Sequence, residues 1–166
     1  MTQVFVYIVA VITFALIMIF GFKAIFGFIK DTQKIELVQF KSSLENSIEQ
    51  LHSEFGAVRT EQFLAPGHFQ QICFLDLDYQ HTPEQLQQLC ALDSRACVTW
   101  EESRGYNLEA ENVFLTSTES NLEIPRIKVY RIEIPDQGFL CLPIRNGKFT
   151  LILEGLGDRT RLSGST

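Results

Sequence analysis

The chain has 166 residues, 46% of them hydrophobic, and its 20 acidic and 14 basic side chains give a formal net charge of −6. This acidic balance, without a cluster of basic residues, argues against nucleic acid as a partner. The part that follows the N-terminal helical segments is long enough for one small domain with its own core and too short for two.

The N-terminal segment has the composition of a membrane anchor. Residues 1–22 carry no charged side chain, and from Val4 onward nearly every residue is aliphatic or aromatic. A helix of about 20 such residues crosses the hydrocarbon core of a bilayer. We therefore predict a transmembrane anchor over residues 1–29, with the lipid bilayer as its partner. The alternatives are a cleavable signal peptide, whose apolar run is normally shorter, and a buried helix of a soluble protein, which normally keeps a polar stripe.

A second helical pattern follows over residues 30–56. Apolar residues recur there at steps of three and four, which predicts an amphipathic helical stalk ending at Gly56. These residues are Leu37, Phe40, Leu44, Ile48, Leu51 and Phe55. The two segments together predict one helix of about 50 residues, with a break between residues 27 and 32 as the alternative. We expect the stripe to pack against the following domain; pairing with the stripe of another copy is the other possibility.

Residues 57–162 have the pattern of a β-rich globular domain, and residues 163–166 that of a flexible tail. Thr82, Pro83 and Gln85 form a capping signal that predicts one short helix over residues 83–91. The predicted strands are residues 58–64, 69–77, 112–116, 127–134, 139–145 and 148–154. The expected fold class is therefore α+β: a long N-terminal transmembrane and amphipathic helix, then a small antiparallel β-sheet domain with one short helix.

Local signals refine three of these strands. Asn146 and Gly147 lie between the last two and predict a hairpin, because both residues tolerate positive φ. Pro143 lacks an N–H group, so its strand is expected at a sheet edge. The alternation of residues 127–134 changes phase near Tyr130 and Arg131, which predicts a bulge.

The four cysteines all lie in the β-rich domain. An even number in a small domain outside the cytosol predicts two disulfides. We favour Cys90 with Cys97, which are close in sequence, and Cys73 with Cys141, which both lie in predicted strands. Four free thiols in a reducing compartment are the alternative. A zinc site is not favoured, because no Cys-x-x-Cys pair occurs.

Two groups of carboxylates are candidate cation sites. Asp76 and Asp78 flank Leu77 at the end of a predicted strand, and a second group surrounds Trp100 and Tyr106. The second group is Glu101, Glu102, Glu109 and Glu111. The Asp-x-Asp spacing alone is common, and the chain is too short for the transferase folds that use it to bind a divalent cation. The second group lacks the ordered spacing of a calcium loop, so surface charge is the favoured interpretation for both groups. No phosphate-binding glycine loop or nucleophile elbow occurs either. We predict no catalytic, cofactor-binding or metal residue, no cofactor, no small-molecule substrate and no enzymatic activity.

The sequence gives opposing indications of the side of the membrane on which the domain lies. Basic residues follow the anchor and none precedes it, which favours a cytosolic domain under the positive-inside rule. These basic residues are Lys23, Lys30, Lys34 and Lys41. The cysteines favour the opposite side. We expect a single-pass membrane protein with an extracytoplasmic domain, and the cytosolic placement remains the alternative.

The layout of the first 56 residues resembles type IV pilin-like proteins, and is most similar to small archaeal single-pass membrane-anchored proteins of that plan. The resemblance lies in a short polar start with Gln3, an apolar run, an amphipathic continuation and a sheet-rich domain. Archaeal members are often cut just before a Gln, a position that Gln3 matches. Thr2 stands where those proteins have a small residue, and Tyr7 stands where bacterial pilins have a Glu.

The resemblance implies a non-enzymatic structural or accessory subunit of a surface filament or secretion-type assembly. Its anchor would pack beside copies of itself or other pilin-like subunits, with small residues allowing close approach. Those residues are Ala10, Ala15, Gly21, Ala24 and Gly27. The alternative function is a single-pass membrane-tethered binding module that acts as a monomer or in a hetero-complex.

Overall fold

The computed structural model describes residues 2–103, 111–117 and 126–164. The first helix, α1, spans Thr2–His52. The chain divides into two compact units, Met1–Glu36 and Leu37–Thr166. The long helix is thus confirmed, and its end lies four residues before the predicted cap at Gly56. Gly56 has a φ of +78° in the turn that leads to the first strand.

Two short helices lie in the described residues of the second unit, where one was expected. Helix α2 spans Pro83–Leu92, and its capping box between Thr82 and Gln85 is present as predicted. Helix α3 spans Ser94–Ser103. Asp93 separates the two, and its Oδ1 accepts hydrogen bonds from the backbone N–H groups of Arg95 and Ala96 at 2.9 and 3.1 Å. An aspartate that binds the first free N–H groups of a helix is an N-cap, so this residue starts α3.

Seven strands form two small sheets in the described residues. They are β1 (Val58–Leu64), β2 (Phe69–Leu75), β3 (Val113–Ser117), β4 (Ile132–Glu133), β5 (Phe139–Pro143), β6 (Lys148–Gly155) and β7 (Thr160–Gly164). The four-stranded sheet has the order β1-β6-β7-β4, and the three-stranded sheet has the order β3-β2-β5. Every pair is antiparallel except β4 with β7, which is parallel. The α+β class is confirmed.

The largest departures from the predicted strands lie near the C-terminus. Of residues 127–134, only Ile132–Glu133 form a strand, because Arg131 adopts a positive φ of 56° that interrupts the extended backbone. Strand β7 was not predicted, since TRLSG has a single large apolar residue, Leu162. Ser163 and Gly164, for which composition predicts a flexible tail, belong to β7. Residues 165 and 166 lie outside the described residues.

The Asn-Gly turn is confirmed, but the hairpin around it is not. Asn146 and Gly147 have φ values of 53° and 68°, and Arg145 bridges Lys148 across the turn. Beyond that bridge the strands separate, β5 pairing with β2 and β6 with β1. The Ile144 N–H donates to Gln70 O at 2.7 Å, which commits this strand to the other sheet. As predicted for the strand that holds Pro143, β5 is an edge strand.

The main core of the second unit lies between the outer half of α1 and the two sheets. Phe40, Leu44, Ile48 and Leu51 are buried among strand residues, which confirms that the stripe packs on the chain's own domain. Phe55 is the exception, because the helix has ended before it, and its side chain is 83% exposed. Thr160 Oγ1 adds a polar contact by donating to Ile48 O at 2.8 Å.

Candidate functional site

The first candidate site is the apolar part of α1. Residues Val6–Ile25 form a 20-residue stretch with a mean hydropathy of 2.5, and none of it is buried. This helix is long and apolar enough to cross a membrane. Thr13 Oγ1 donates to Val9 O, so its hydroxyl is satisfied within the helix. A polar side chain that bonds its own backbone is compatible with a surrounding of lipid tails.

The small residues of this helix do not all share one face. With about 100° per residue, Ala10, Gly21 and Ala24 lie within an arc of about 60°, whereas Ala15 lies about 140° from Ala10. Nothing lies within 4 Å of the position that a Cβ atom on Gly21 would occupy. The side chains around Gly27 lie outside the described residues. The candidate set therefore divides into one three-residue face and Ala15 on another.

Two disulfides define the second candidate feature, and they match the predicted pairing. Cys73 is bonded to Cys141 and Cys90 to Cys97. Cys73 and Cys141 are directly opposite in neighbouring strands β2 and β5. Cys90 lies in α2 and Cys97 in α3, so the second bond joins the two short helices. The four thiols are therefore unavailable for metal binding or for nucleophilic catalysis.

Asp76 is a buried structural carboxylate, whereas the sequence suggested a solvated one. It follows β2 and is only 5% exposed. Its Oδ1 accepts from the Asp78 N–H at 3.0 Å, and its Oδ2 accepts from the Ile134 N–H at 3.3 Å. Burial raises the pKa of Asp76, and the two backbone hydrogen bonds oppose that shift. The carboxylate holds the segment before β5 against the end of β2, and Asp78 is exposed beside it.

Asp93 joins three elements of the domain. Besides capping α3, its Oδ2 accepts a hydrogen bond from Thr116 Oγ1 at 2.9 Å. Arg95 Nη2 lies 3.9 Å from the same oxygen and donates to Leu115 O at 2.6 Å. Asp93 is therefore a structural residue that binds the two short helices to β3.

An ion-pair cluster crosses the four-stranded sheet. Arg161 on β7 donates to Glu133 on β4 at 2.9 and 3.0 Å and to Glu154 on β6 at 2.9 Å. Its pKa is raised, chiefly by the hydrogen bond to Glu133. The three residues lie opposite one another in the strand register. The cluster holds the two-residue strand β4 to the sheet.

The acidic group around Trp100 does not form a cation site in the described part of the chain. Glu101 is exposed on α3 and Glu111 lies before β3. The side chain of Glu102 and all of Tyr106 and Glu109 lie outside the described residues. Trp100 is buried against His81, with ring centroids 5.0 Å apart. Among the described residues, no three His, Cys, Asp or Glu side chains are arranged to hold a metal ion.

One surface groove lies beside the edge strand β5 and has a volume of about 650 Å³. Leu92, Phe139, Leu140 and Leu162 provide apolar walls, and Asp136 is among the polar residues at its border. Other polar side chains also line the groove, among them Gln70, Gln71 and Gln137.

Comparison with known proteins adds no assignment: no protein-family model, curated protein or solved structure matches this chain.

Local sequence does not identify most of these structural roles, because the partners are distant in the chain. Asp93 has a local signal, because aspartate is a preferred N-cap residue and Asp93 directly precedes α3. Arg161 carried none, because its partners Glu133 and Glu154 become neighbours only when β4, β7 and β6 align. The buried state of Asp76 likewise depends on Ile134, 58 residues away.

Proposed function

We propose that the protein is a non-enzymatic, single-pass membrane-anchored subunit, pilin-like in plan, that serves a structural or accessory role in a surface filament or secretion-type assembly. The fully exposed apolar stretch Val6–Ile25 carries this proposal. An apolar helix of that length is stable in a bilayer and is strongly disfavoured in water. The following unit supplies a disulfide-bonded head.

We propose that the head lies on the extracytoplasmic side. Two disulfides within one small domain support this placement, because such bonds persist in oxidising compartments. The test is thiol labelling of intact cells with a membrane-impermeant reagent. We expect labelling only after an impermeant reductant has been added. Labelling that requires cell lysis would contradict the placement and favour a cytosolic head.

Assembly is proposed to occur through the anchor. In a bilayer, helices associate where small residues allow their backbones to approach closely. Ala10, Gly21 and Ala24 provide such a face, and Ala15 provides a second small position on a different face. A subunit that contacts neighbours through both faces can extend an assembly, whereas one that uses a single face stops at a dimer.

Disulfide crosslinking in native membranes tests this proposal. Gly21→Cys and Ala15→Cys each carry one free thiol, because the four native cysteines are bonded to each other. We expect each single variant to give dimers and the double variant to give a ladder of higher oligomers. Ser53→Cys, on an exposed residue outside the anchor, is the control for random collision. Monomer alone in the double variant would contradict assembly through the anchor.

The groove beside β5 favours a second candidate function, a membrane-tethered binding module. Its apolar walls suit a protein segment better than a small polar ligand. In that case the anchor variants would remain monomeric or give one hetero-adduct. Leu92→Asp would then remove the hetero-adduct, because it places a charge on an apolar wall of the groove at a residue that is 47% exposed.

A further inference from the structure

Strand β1 has an edge that no strand covers within the described residues. It is the first strand of the order β1-β6-β7-β4, and its seven residues pair with β6 on one side. Its side chains are largely accessible, with Val58 61% and Leu64 69% exposed. Long edge strands normally carry charged side chains, a proline, a bulge or a cover that limits pairing with another chain, and of these β1 has the charges of Arg59 and Glu61. Residues 58–64 contain no proline, and their register with β6 is unbroken.

The hydrogen-bond phase of β1 identifies which backbone groups face this edge. The Gly155 N–H donates to Ala57 O at 2.8 Å, and the Ala65 N–H donates to Gly147 O at 2.9 Å. Since bonded residues alternate along an antiparallel pair, odd-numbered residues of β1 bond to β6. The N–H and C=O groups of the even-numbered residues therefore point toward the open edge. These residues are Val58, Thr60, Gln62 and Leu64.

The charges on β1 are complementary to those of a second copy in one register. Two antiparallel copies bonded through these outward groups can place Thr60 opposite Thr60. That register sets Arg59 of each copy opposite Glu61 of the other, giving two cross-strand ion pairs. If each strand slides by one residue relative to the other, Glu61 of one copy lies opposite Glu61 of the second copy, and the two like charges repel. The strand sequence thus favours the first register and disfavours its neighbour.

We propose that β1 is a self-association edge, through which two copies of this chain pair antiparallel with Thr60 at the centre. The pairing joins the two four-stranded sheets into one eight-stranded sheet. It bonds backbone groups that otherwise face solvent, and it places Arg59 and Glu61 on the same face of the joined sheet. This contact is separate from the anchor, so it links subunits through their heads.

Arg59 already contacts Glu54 of its own chain, at 2.9 and 3.2 Å from the two carboxylate oxygens. Both side chains are nearly half exposed, and an exposed pair of this kind contributes little stability. The guanidinium group has five N–H donors, so it can contact a second carboxylate without releasing the first. The pair with Glu54 therefore does not prevent pairing with Glu61 of the second copy.

Cysteine crosslinking of the full-length protein in native membranes tests the register. In the proposed pair the two Thr60 Cα atoms lie about 5.5 Å apart, within the range of a disulfide. The two Gln62 Cα atoms lie about 13 Å apart along the strands, beyond that range. We expect Thr60→Cys to give several-fold more disulfide-linked dimer than Gln62→Cys. Equal dimer in both variants, or more in Gln62→Cys, would overturn the proposal.

A charge exchange tests the ion pairs in the Thr60→Cys background. Arg59→Glu alone places two carboxylates opposite each other at both pairs, and Glu61→Arg alone does the same with two guanidinium groups. We expect each to reduce the dimer several-fold and the combined exchange to restore it. Glu54→Gln is the control for the intramolecular contact and should leave the dimer unchanged. Failure of the combined exchange to restore the dimer, or an equal loss in Glu54→Gln and Arg59→Glu, would overturn the proposal.

Discussion

Asp76 shows how a single buried residue can impose a pH dependence on the domain. Its carboxylate accepts two backbone N–H groups, which join the end of β2 to the segment before β5. Burial nevertheless raises its pKa, so the desolvation of the charge outweighs the two hydrogen bonds. The native protein therefore retains this proton at pH values where the unfolded chain has released it.

The stability that Asp76 contributes should fall as the pH rises above about 4, the ordinary pKa of aspartate, and level off above the raised folded-state pKa. Asp76→Asn has a similar shape and does not titrate. We expect the free energy of unfolding of the wild type, minus that of Asp76→Asn, to decrease over this range. Denaturant titration in detergent, followed by fluorescence of the single tryptophan, Trp100, measures it.

Asp136→Asn is the matched control for that experiment, because it removes the same charge at an exposed position that is not among the groups shifting the pKa of Asp76. A difference that stays constant or increases with pH would contradict a raised pKa at Asp76. In that case the two backbone hydrogen bonds would outweigh the burial of the carboxylate.

At the scale of elements, α1 changes character along its length. Its first part, Val6–Ile25, is exposed on all sides, whereas Leu44, Ile48 and Leu51 are buried in the core of the second unit. The outer half of the helix is therefore a structural part of the head. The stalk that the sequence predicted over residues 30–56 is, from Leu37 onward, one layer of the globular unit.

Leu44→Ala should destabilise the head by about 2–5 kcal/mol, because it leaves a cavity in a core where Leu44 is fully buried. Val38→Ala, on the same helix at a residue that is 67% exposed, should change the stability by less than about 0.5 kcal/mol. Denaturant titration of the full-length protein in detergent, followed by Trp100 fluorescence, compares them. If Leu44→Ala lowered the free energy of unfolding as little as Val38→Ala does, the stability of the head would not depend on this helix.

At the scale of the whole molecule, the exposed apolar helix decides where the protein can reside. A lysine at the centre of a membrane helix costs about 2.5–3.5 kcal/mol on insertion scales. Ile12→Lys combined with Ile17→Lys should therefore release much of the protein from vesicles during an alkaline wash, while the wild type stays bound. Val38→Lys, outside the apolar stretch, should also stay bound. Release of the wild type by the same wash would contradict a membrane anchor.

Sequence reasoning alone determined the features that depend on neighbouring residues. The apolar stretch, the amphipathic stripe, the capping box at Thr82 and the positive-φ turn at Asn146 all follow from local composition and spacing. Strand β1 was predicted with both its ends, because turn residues bound it on each side. The disulfide pairing was also predictable, since the cysteines lay in a nearby pair and in two strand-like segments.

The tertiary structure decided which strands become neighbours, and with that the sites that depend on them. The turn at Asn146 predicts a hairpin locally, but pairing of β5 with β2 draws the strands into different sheets. Strand β7 forms because its backbone pairs with β6 on one side and β4 on the other. The sequence of its own five residues does not predict this pairing. The burial of Asp76 and the open edge of β1 arise in the same way. Each depends on contacts between residues far apart in the chain, which composition and local spacing do not specify.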